Sequence, residues 1–290
     1  MLNALSIDVE DYFQVNAFAR HVKREQWSQF QLRVAANTDL ILEMLDDLSL
    51  KGTFFVLGWI AEREPELIKE IQRRGHEIAC HGYGHELIFD IGLDRFREDV
   101  RRAKRIIEDL TGTQVNGYRA PSYSITYNSL WAINVLIEEG FTYDSSIFPV
   151  YHDTYGIPDS PRFPYLIKSA SGTIREFPLT TYPLHIGGKV YHLPVAGGGY
   201  LRLLPTAFLS HAIRTINTKE GKPVVLYFHP WEIDPEQPRI KAGMKSRFRH
   251  YVNLDKTKAK LRSLLSTNKF GTMLQVLEHS TNLSEYSYGV

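Results

Sequence analysis

Short apolar runs that stop at a carboxylate or an imidazole recur along this chain, with amphipathic helical stretches between them. This alternation limits the fold more than any other feature of the sequence. "LSIDVED", "TFFVLGW", "HEIAC" and "PVVLYFH" read as buried strands. Between the first two, Asn37 or Thr38 is placed to cap a helix with Leu40, Ile41, Met44, Leu45 and Leu48 on one face, closed by Gly52. "PELIKEIQRRG" carries Pro65 near a helix start and Gly75 at its stop. Leu93, Phe96, Val100, Ala103, Ile107 and Leu110 then recur at helical spacing before Gly112. "SLWAINVLIEEG" adds another helix and leads into the strand-like "FTYDSS". Such an order predicts an α/β chain whose strand C-termini gather on one face, where loops converge on a site. The polar clusters all follow such strands.

Residues 150–200 are rich in Pro, Gly and Tyr and read as long loops with short strands such as "TIREFPL". After His229 come a loop and a helix carrying Leu261, Leu264 and Leu265, and the tail from Thr281 reads as loose. No repeat or linker divides the 290 residues, 43% of them hydrophobic, so one large domain is expected. With 34 Lys+Arg against 33 Asp+Glu the net charge is +1, and no basic stripe with interleaved aromatics is present, which argues against a nucleic-acid partner. The single cysteine, Cys80, excludes an internal disulfide and lies in an apolar strand, where it packs rather than reacts. Asp8, Glu10 and Asp11 interrupt any apolar leader, and no window approaches the ~18 apolar residues of a membrane span. The expectation is a soluble, cytoplasmic chain with no integral span.

"HGYGHE" sets His81 and His85 four apart, a spacing that closes two imidazoles around one ion. It is not an HExxH site. A catalytic ion commonly takes three protein ligands and keeps a position open, so a carboxylate is sought as the third. Strand alternation puts Asp8 and Glu10 on one side, so one can bind the ion and the other act as a base, while Asp11 can cap the segment after the strand. "GYRAPSYSI" holds Arg119 in a rigid loop, suited to orienting a carboxylate by a bidentate contact. "VVLYFHPWE" ends an apolar run at His229, either a satisfied core histidine or a general acid. Asp144, in "TYDSS", is a candidate to hold an imidazole in one tautomer, or a turn residue. Trp231, Tyr182 and Tyr191 are candidates for a sugar platform or for core packing.

In this order, "SIDVED", "HGYGH", "RAP" and "LYFH" resemble the motifs of the NodB-type polysaccharide deacetylases, carbohydrate esterase family 4. "DVEDYFQV", "YRAPSYSI", "GGGYLRLLP" and "YFHPWEID" look closer to a subgroup associated with exopolysaccharide and exosortase gene clusters, and "RFRHYVNLDKT" matches its C-terminal extension. The resemblance implies a distorted (β/α) barrel with fewer than eight regular strands, with residues 1–232 as catalytic domain and 233–290 as an extension packed on it. It implies hydrolysis of N-acetyl groups on a glycan, dependent on one divalent ion, with zinc favoured. By the same resemblance Asp8 is the general base, His81 and His85 are metal ligands, Arg119 orients Asp8, and His229 is the general acid. The family's adjacent acidic pair is here Asp-Val-Glu-Asp, which favours Glu10 as third ligand and keeps Asp11 as the alternative. A backbone N–H of Ser122 or Tyr123 is implied at the oxyanion. Two other readings stand beside this one: hydrolysis of a small amide or cyclic imide, and glycan binding without catalysis.

Overall fold

The computed structural model describes residues 1–195 and 197–289. Its strands are β1 (Asn3–Val9), β2 (Thr53–Val56), β3 (Glu77–Cys80), β4 (Gly117–Tyr118), β5 (Tyr143–Asp144), β6 (Tyr165–Ser169), β7 (Gly172–Glu176), β8 (Thr181–Ile186), β9 (Lys189–Pro194), β10 (Val225–Phe228), β11 (Phe270–Gly271) and β12 (Ser284–Ser287). The main sheet runs β10-β1-β2-β3-β4-β5-β7-β6-β12, with β11 added beside β1. All its pairings are parallel except β6 with β7, and β8 and β9 form a separate antiparallel hairpin. This is the α/β class that the strand and helix alternation predicts. Among the described residues no strand pairing joins β10 to β12 and closes the sheet into a ring.

All seven residues of β1 are buried, as a parallel strand covered on both faces requires. The same principle explains why "TFFV" and "VLYF" are nearly all apolar. β1 ends at Val9, between Asp8 and Glu10, and β3, β4, β5 and β10 end just before or at His81, Arg119, Asp144 and His229, so parallel register delivers these side chains to one edge. No helix among the described residues is long and apolar enough to cross a membrane.

Three local expectations are corrected. The first helix spans Val34–Asp47, so Asn37 and Thr38 lie inside it and buried, while Leu40 is exposed and Leu42 takes its place in the core. The long helix Ile88–Thr111 is broken at Gly92 (φ 74°), which turns Leu93 outward. The tail is not loose: Ser284–Ser287 pairs in parallel with β6, and the Tyr288 and Tyr165 hydroxyls meet at 2.5 Å. The helix Leu254–Thr267 buries Leu254, Leu261, Leu264 and Leu265 in the same core as β1 and β10.

Candidate metal and acid–base site

Glu10, His81 and His85 are buried, and each offers a ligand atom within 4.8 Å of the others. His81 presents its Nδ1 2.7 Å from the Arg119 carbonyl. A carbonyl only accepts, so Nδ1 carries the proton and Nε2 keeps its lone pair for a metal. Burial lowers His81 to about 4, which keeps the ring neutral as a ligand must be. His85 adopts a left-handed backbone (φ 50°), uncommon for a residue with a side chain, and its Nε2 lies 2.7 Å from Glu10 Oε2. Arg24 clamps that loop, donating to the carbonyls of Gly84 and His85 and to Glu86.

The fit of this cluster to a divalent ion rests on its donor set and on one atom. Glu10 Oε2 is fully buried yet has no aligned hydrogen-bond donor, the 2.7 Å approach of His85 notwithstanding. A buried carboxylate oxygen without a donor is costly, and a cation facing one carboxylate oxygen and two imidazoles removes that cost. Burial pushes the Glu10 carboxyl upward, but His85 and His229 outweigh it and hold the group well below the ordinary carboxylate range. Its Oε1 accepts from Trp231 Nε1 at 3.2 Å.

Asp11 points elsewhere. Its carboxylate accepts from the backbone N–H groups of Tyr12 (2.8 Å), Arg33 (2.7 Å) and Val34 (3.0 Å), which caps the helix Val34–Asp47 from a distant part of the chain. Of the two acids left open by the sequence, Glu10 is the one in the donor cluster.

Asp8 is buried beside it. Arg119, fully buried at the end of β4, donates Nη1 to Asp8 Oδ1 at 2.6 Å and to Ser6 Oγ at 2.8 Å, and spends Nη2 and Nε on the Oγ and carbonyl of Ser145. The contact to Asp8 is therefore through one nitrogen, not the bidentate pairing expected. His229 Nε2 stands 3.4 Å from Glu10 Oε1 and 3.9 Å from Asp8 Oδ2. In the loop after Arg119, Ser122 and Tyr123 both have left-handed backbones (φ 52° and 54°). The Tyr123 N–H is already donated to the Ala120 carbonyl at 3.0 Å, whereas the Ser122 N–H has no acceptor among the described residues.

His229 is not oriented by Asp144. Its Nδ1 lies 2.9 Å from Glu232 Oε2, its own N–H donates to the same oxygen at 3.0 Å, and Arg202 Nε donates to Glu232 Oε1 at 2.6 Å. Burial lowers the His229 pKa, but Glu10 and Glu232 more than reverse this and raise it to about 9. Asp144 instead accepts from Ser146 Oγ at 2.5 Å and pairs across strands with Glu176. Both carboxyls are fully buried and each leaves one oxygen without a donor, so burial drives both above the ordinary carboxylate range and they retain a proton between them. Ser146 Oγ also accepts the Ala120 N–H at 2.8 Å, so the pair supports the Arg119 loop without reaching an imidazole.

Sequence reasoning misses Glu232, Arg202 and His250. A signal for Glu232 is present, since "HPWE" sets a Pro and an acid after His229 in the manner of a capped turn. Arg202 and His250 carry no local signal. His250 stacks on Trp231 (centroids 4.1 Å, interplanar angle 13°), and Trp231 stacks on His229 (5.1 Å, 21°). Trp231 is thus an internal support for Glu10 and His229, not a sugar platform. Burial drives the Cys80 thiol far above its ordinary pKa, which leaves it inert.

Residues 25–140 match the family model "Polysaccharide deacetylase", and residues 145–278 match "Domain of unknown function (DUF3473)". The second stretch supplies β10, His229, Glu232, Arg202 and His250. A peptidoglycan-N-acetylglucosamine deacetylase of Bacillus cereus is 34% identical over 96 residues, 33% of this chain and 35% of the relative. The chain therefore spans about a third of the length of the curated relatives it matches. A crystal structure of a candidate polysaccharide deacetylase from Mycobacterium smegmatis superposes with a TM-score of 0.62 at 23% identity, over 96% of this chain and 89% of that one. Puue allantoinase superposes with the same TM-score, 0.62, at 15% identity, over 96% and 89% of the two chains. These two structures share the fold.

Proposed function

We propose that this chain, whose matches support the polysaccharide deacetylase family, removes N-acetyl groups from sugar residues of a polysaccharide or its lipid-linked precursor, using one divalent ion held by Glu10, His81 and His85. The observation that carries the reading is the position of Asp8. It is buried, held through Oδ1 by Arg119 at 2.6 Å, and its Oδ2 lies 3.9 Å from His229 Nε2, which itself stands 3.4 Å from Glu10 Oε1 of the three-donor cluster.

The ion, when bound, supplies positive charge that polarises the acetyl carbonyl and acidifies water, and zinc suits the donor set. Asp8 accepts the proton of the attacking water, and Arg119 fixes the carboxylate oxygen it touches. The free Ser122 N–H is the backbone donor available to the developing oxyanion. His229, held as an imidazolium by Glu10 and by its hydrogen-bond partner Glu232, gives its proton to the departing sugar nitrogen. Asp8 and His229 thus sit on opposite steps of one proton balance, and no covalent intermediate is required. The resemblance to the exopolysaccharide-associated subgroup makes the glycan of such a cluster the proposed natural substrate.

Acetate release from a panel of N-acetylated oligosaccharides tests the reading. Asp8→Asn and His81→Ala abolish release while the melting transition is retained; full activity in either variant overturns the mechanism. Turnover of cyclic imides with none of the sugars transfers the site to small-amide hydrolysis, and glycan binding with no turnover at all makes it a binding protein.

A further inference from the structure

The loop that follows Arg119 leads from Asp8 to an aromatic cleft that the mechanism does not use. Tyr123 packs edge-on against Tyr227 (5.3 Å) and Tyr155 (6.0 Å). Tyr155 in turn lies flat against His152 (3.8 Å, 8°) and Phe148 (5.7 Å, 9°). Beyond it, Tyr127, Tyr151, Tyr155, His152 and Asp159 line a cleft of about 370 Å³. Tyr151 is 93% exposed and Tyr127 53% exposed, and the Tyr127 hydroxyl donates to Asp159.

The cleft is built rather than incidental. The Ile157 N–H closes the segment onto the Phe148 carbonyl at 2.8 Å. Gly156 has φ 104°, and a Cβ there would stand 2.2 Å from the Val150 carbonyl oxygen, so only glycine permits the turn. An aromatic ring left almost wholly in water keeps a large apolar face uncovered, and clusters of such faces mark binding surfaces.

We propose that this cleft is a subsite for a neutral sugar ring of the same glycan that carries the acetamido group under attack. A pyranose offers an apolar face to Tyr151 and hydroxyls to Asp159 and the Tyr127 hydroxyl. Asp159 is the one charged group among the described lining residues, and Asp153, Lys245 and Arg249 stand near His152 and Tyr155; with both signs represented, the cleft favours a neutral ring. The inference rests on the deacetylase reading and sharpens it, because a subsite beyond Tyr123 selects oligomers over single sugars and small amides.

The test measures acetate release from N-acetylglucosamine and from its β-1,4-linked tetramer by wild type, Tyr151→Ala and Tyr151→Phe, with tetramer binding followed by calorimetry. Loss of one aromatic contact corresponds to about a fivefold weakening. Tyr151→Ala is expected to raise KM for the tetramer about fivefold, to leave kcat and the monomer unchanged, and Tyr151→Phe to restore the wild-type value. Equal effects on both substrates, or no effect on the tetramer, overturn the subsite. If neither sugar is hydrolysed the deacetylase reading fails for these probes. The subsite then stands only if wild type binds the tetramer and Tyr151→Ala weakens that binding; no binding to wild type overturns it.

Discussion

Replacing Glu232 by Gln tests the proposed acid step at its support. The wild-type carboxylate is fully buried, receives Arg202 Nε at 2.6 Å, and holds both the ring and the backbone of His229 at 2.9 and 3.0 Å. Burial alone would lower His229; Glu10 and then Glu232 raise it to about 9. A charge-assisted hydrogen bond contributes about 1.5–3 kcal/mol, and about 1.4 kcal/mol corresponds to one pH unit. Removing the Glu232 charge therefore lowers the His229 pKa by about one to two pH units. A general acid works only while protonated, so activity is present below that pKa and lost above it. The alkaline limb of kcat/KM for acetate release is expected to move toward neutral pH by that amount, with the acidic limb unmoved. Arg202 keeps its bonds to the carbonyls of Arg249, His250 and Val252, so it stays in place while losing its counter-charge. Breaking a buried pair costs about 3–5 kcal/mol in stability, and a lower melting temperature accompanies the shift. A variant that loses activity equally at every pH refutes the assignment of Glu232 as the group that sets the acid.

Asp11→Ala removes a cap that takes three backbone N–H groups; the expected loss is about 2 kcal/mol of stability, read by denaturant unfolding, with metal affinity unchanged. Asp144→Asn is expected to leave the pH–rate profile as it is, because Asp144 touches no imidazole. It is also expected to alter stability against pH. Burial raises both carboxyls of the Asp144–Glu176 pair, so the pair's contribution is present below the ordinary carboxylate range and lost as pH rises through its raised range. Thermal melts across that range show a smaller decline in the variant, where Glu176 alone is left to ionise, and an unchanged slope contradicts the shared-proton pair. Trp231→Phe keeps the stacked ring but removes the donor to Glu10 Oε1, and a weakening of metal affinity of about 10-fold is expected by titration.

The parts of the site that sequence reveals are those carried by short-range rules. Period-two alternation puts Asp8 and Glu10 on one side of β1, and an apolar run that ends in an imidazole identifies His81 and His229, because parallel strands share a C-terminal edge. The supports are different. Glu232 orients His229 from three residues away, but Arg202 and His250 arrive from remote segments, and nothing local to "GGGYLRLLP" or "RFRHY" shows that they meet. Acids at strand ends often hold an imidazole, and that general habit is all that points Asp144 to one. The carbonyl of Arg119 and the carboxylate of Glu232 fill that role, and β5 pairs Asp144 with Glu176 instead. Leu40 and Leu93 show the same limit. Apolar spacing marks a helix, yet packing of the first helix turns Leu42 inward and Leu40 outward, and a break at Gly92 leaves Leu93 exposed.

Metal titration of the purified chain tests the central claim most directly. Wild type is expected to bind one zinc ion per chain, Glu10→Gln and His85→Ala to lose tight binding, and Asp11→Asn to keep it. Zinc binding that survives in Glu10→Gln but is lost in Asp11→Asn, or no stoichiometric binding by wild type, contradicts the account.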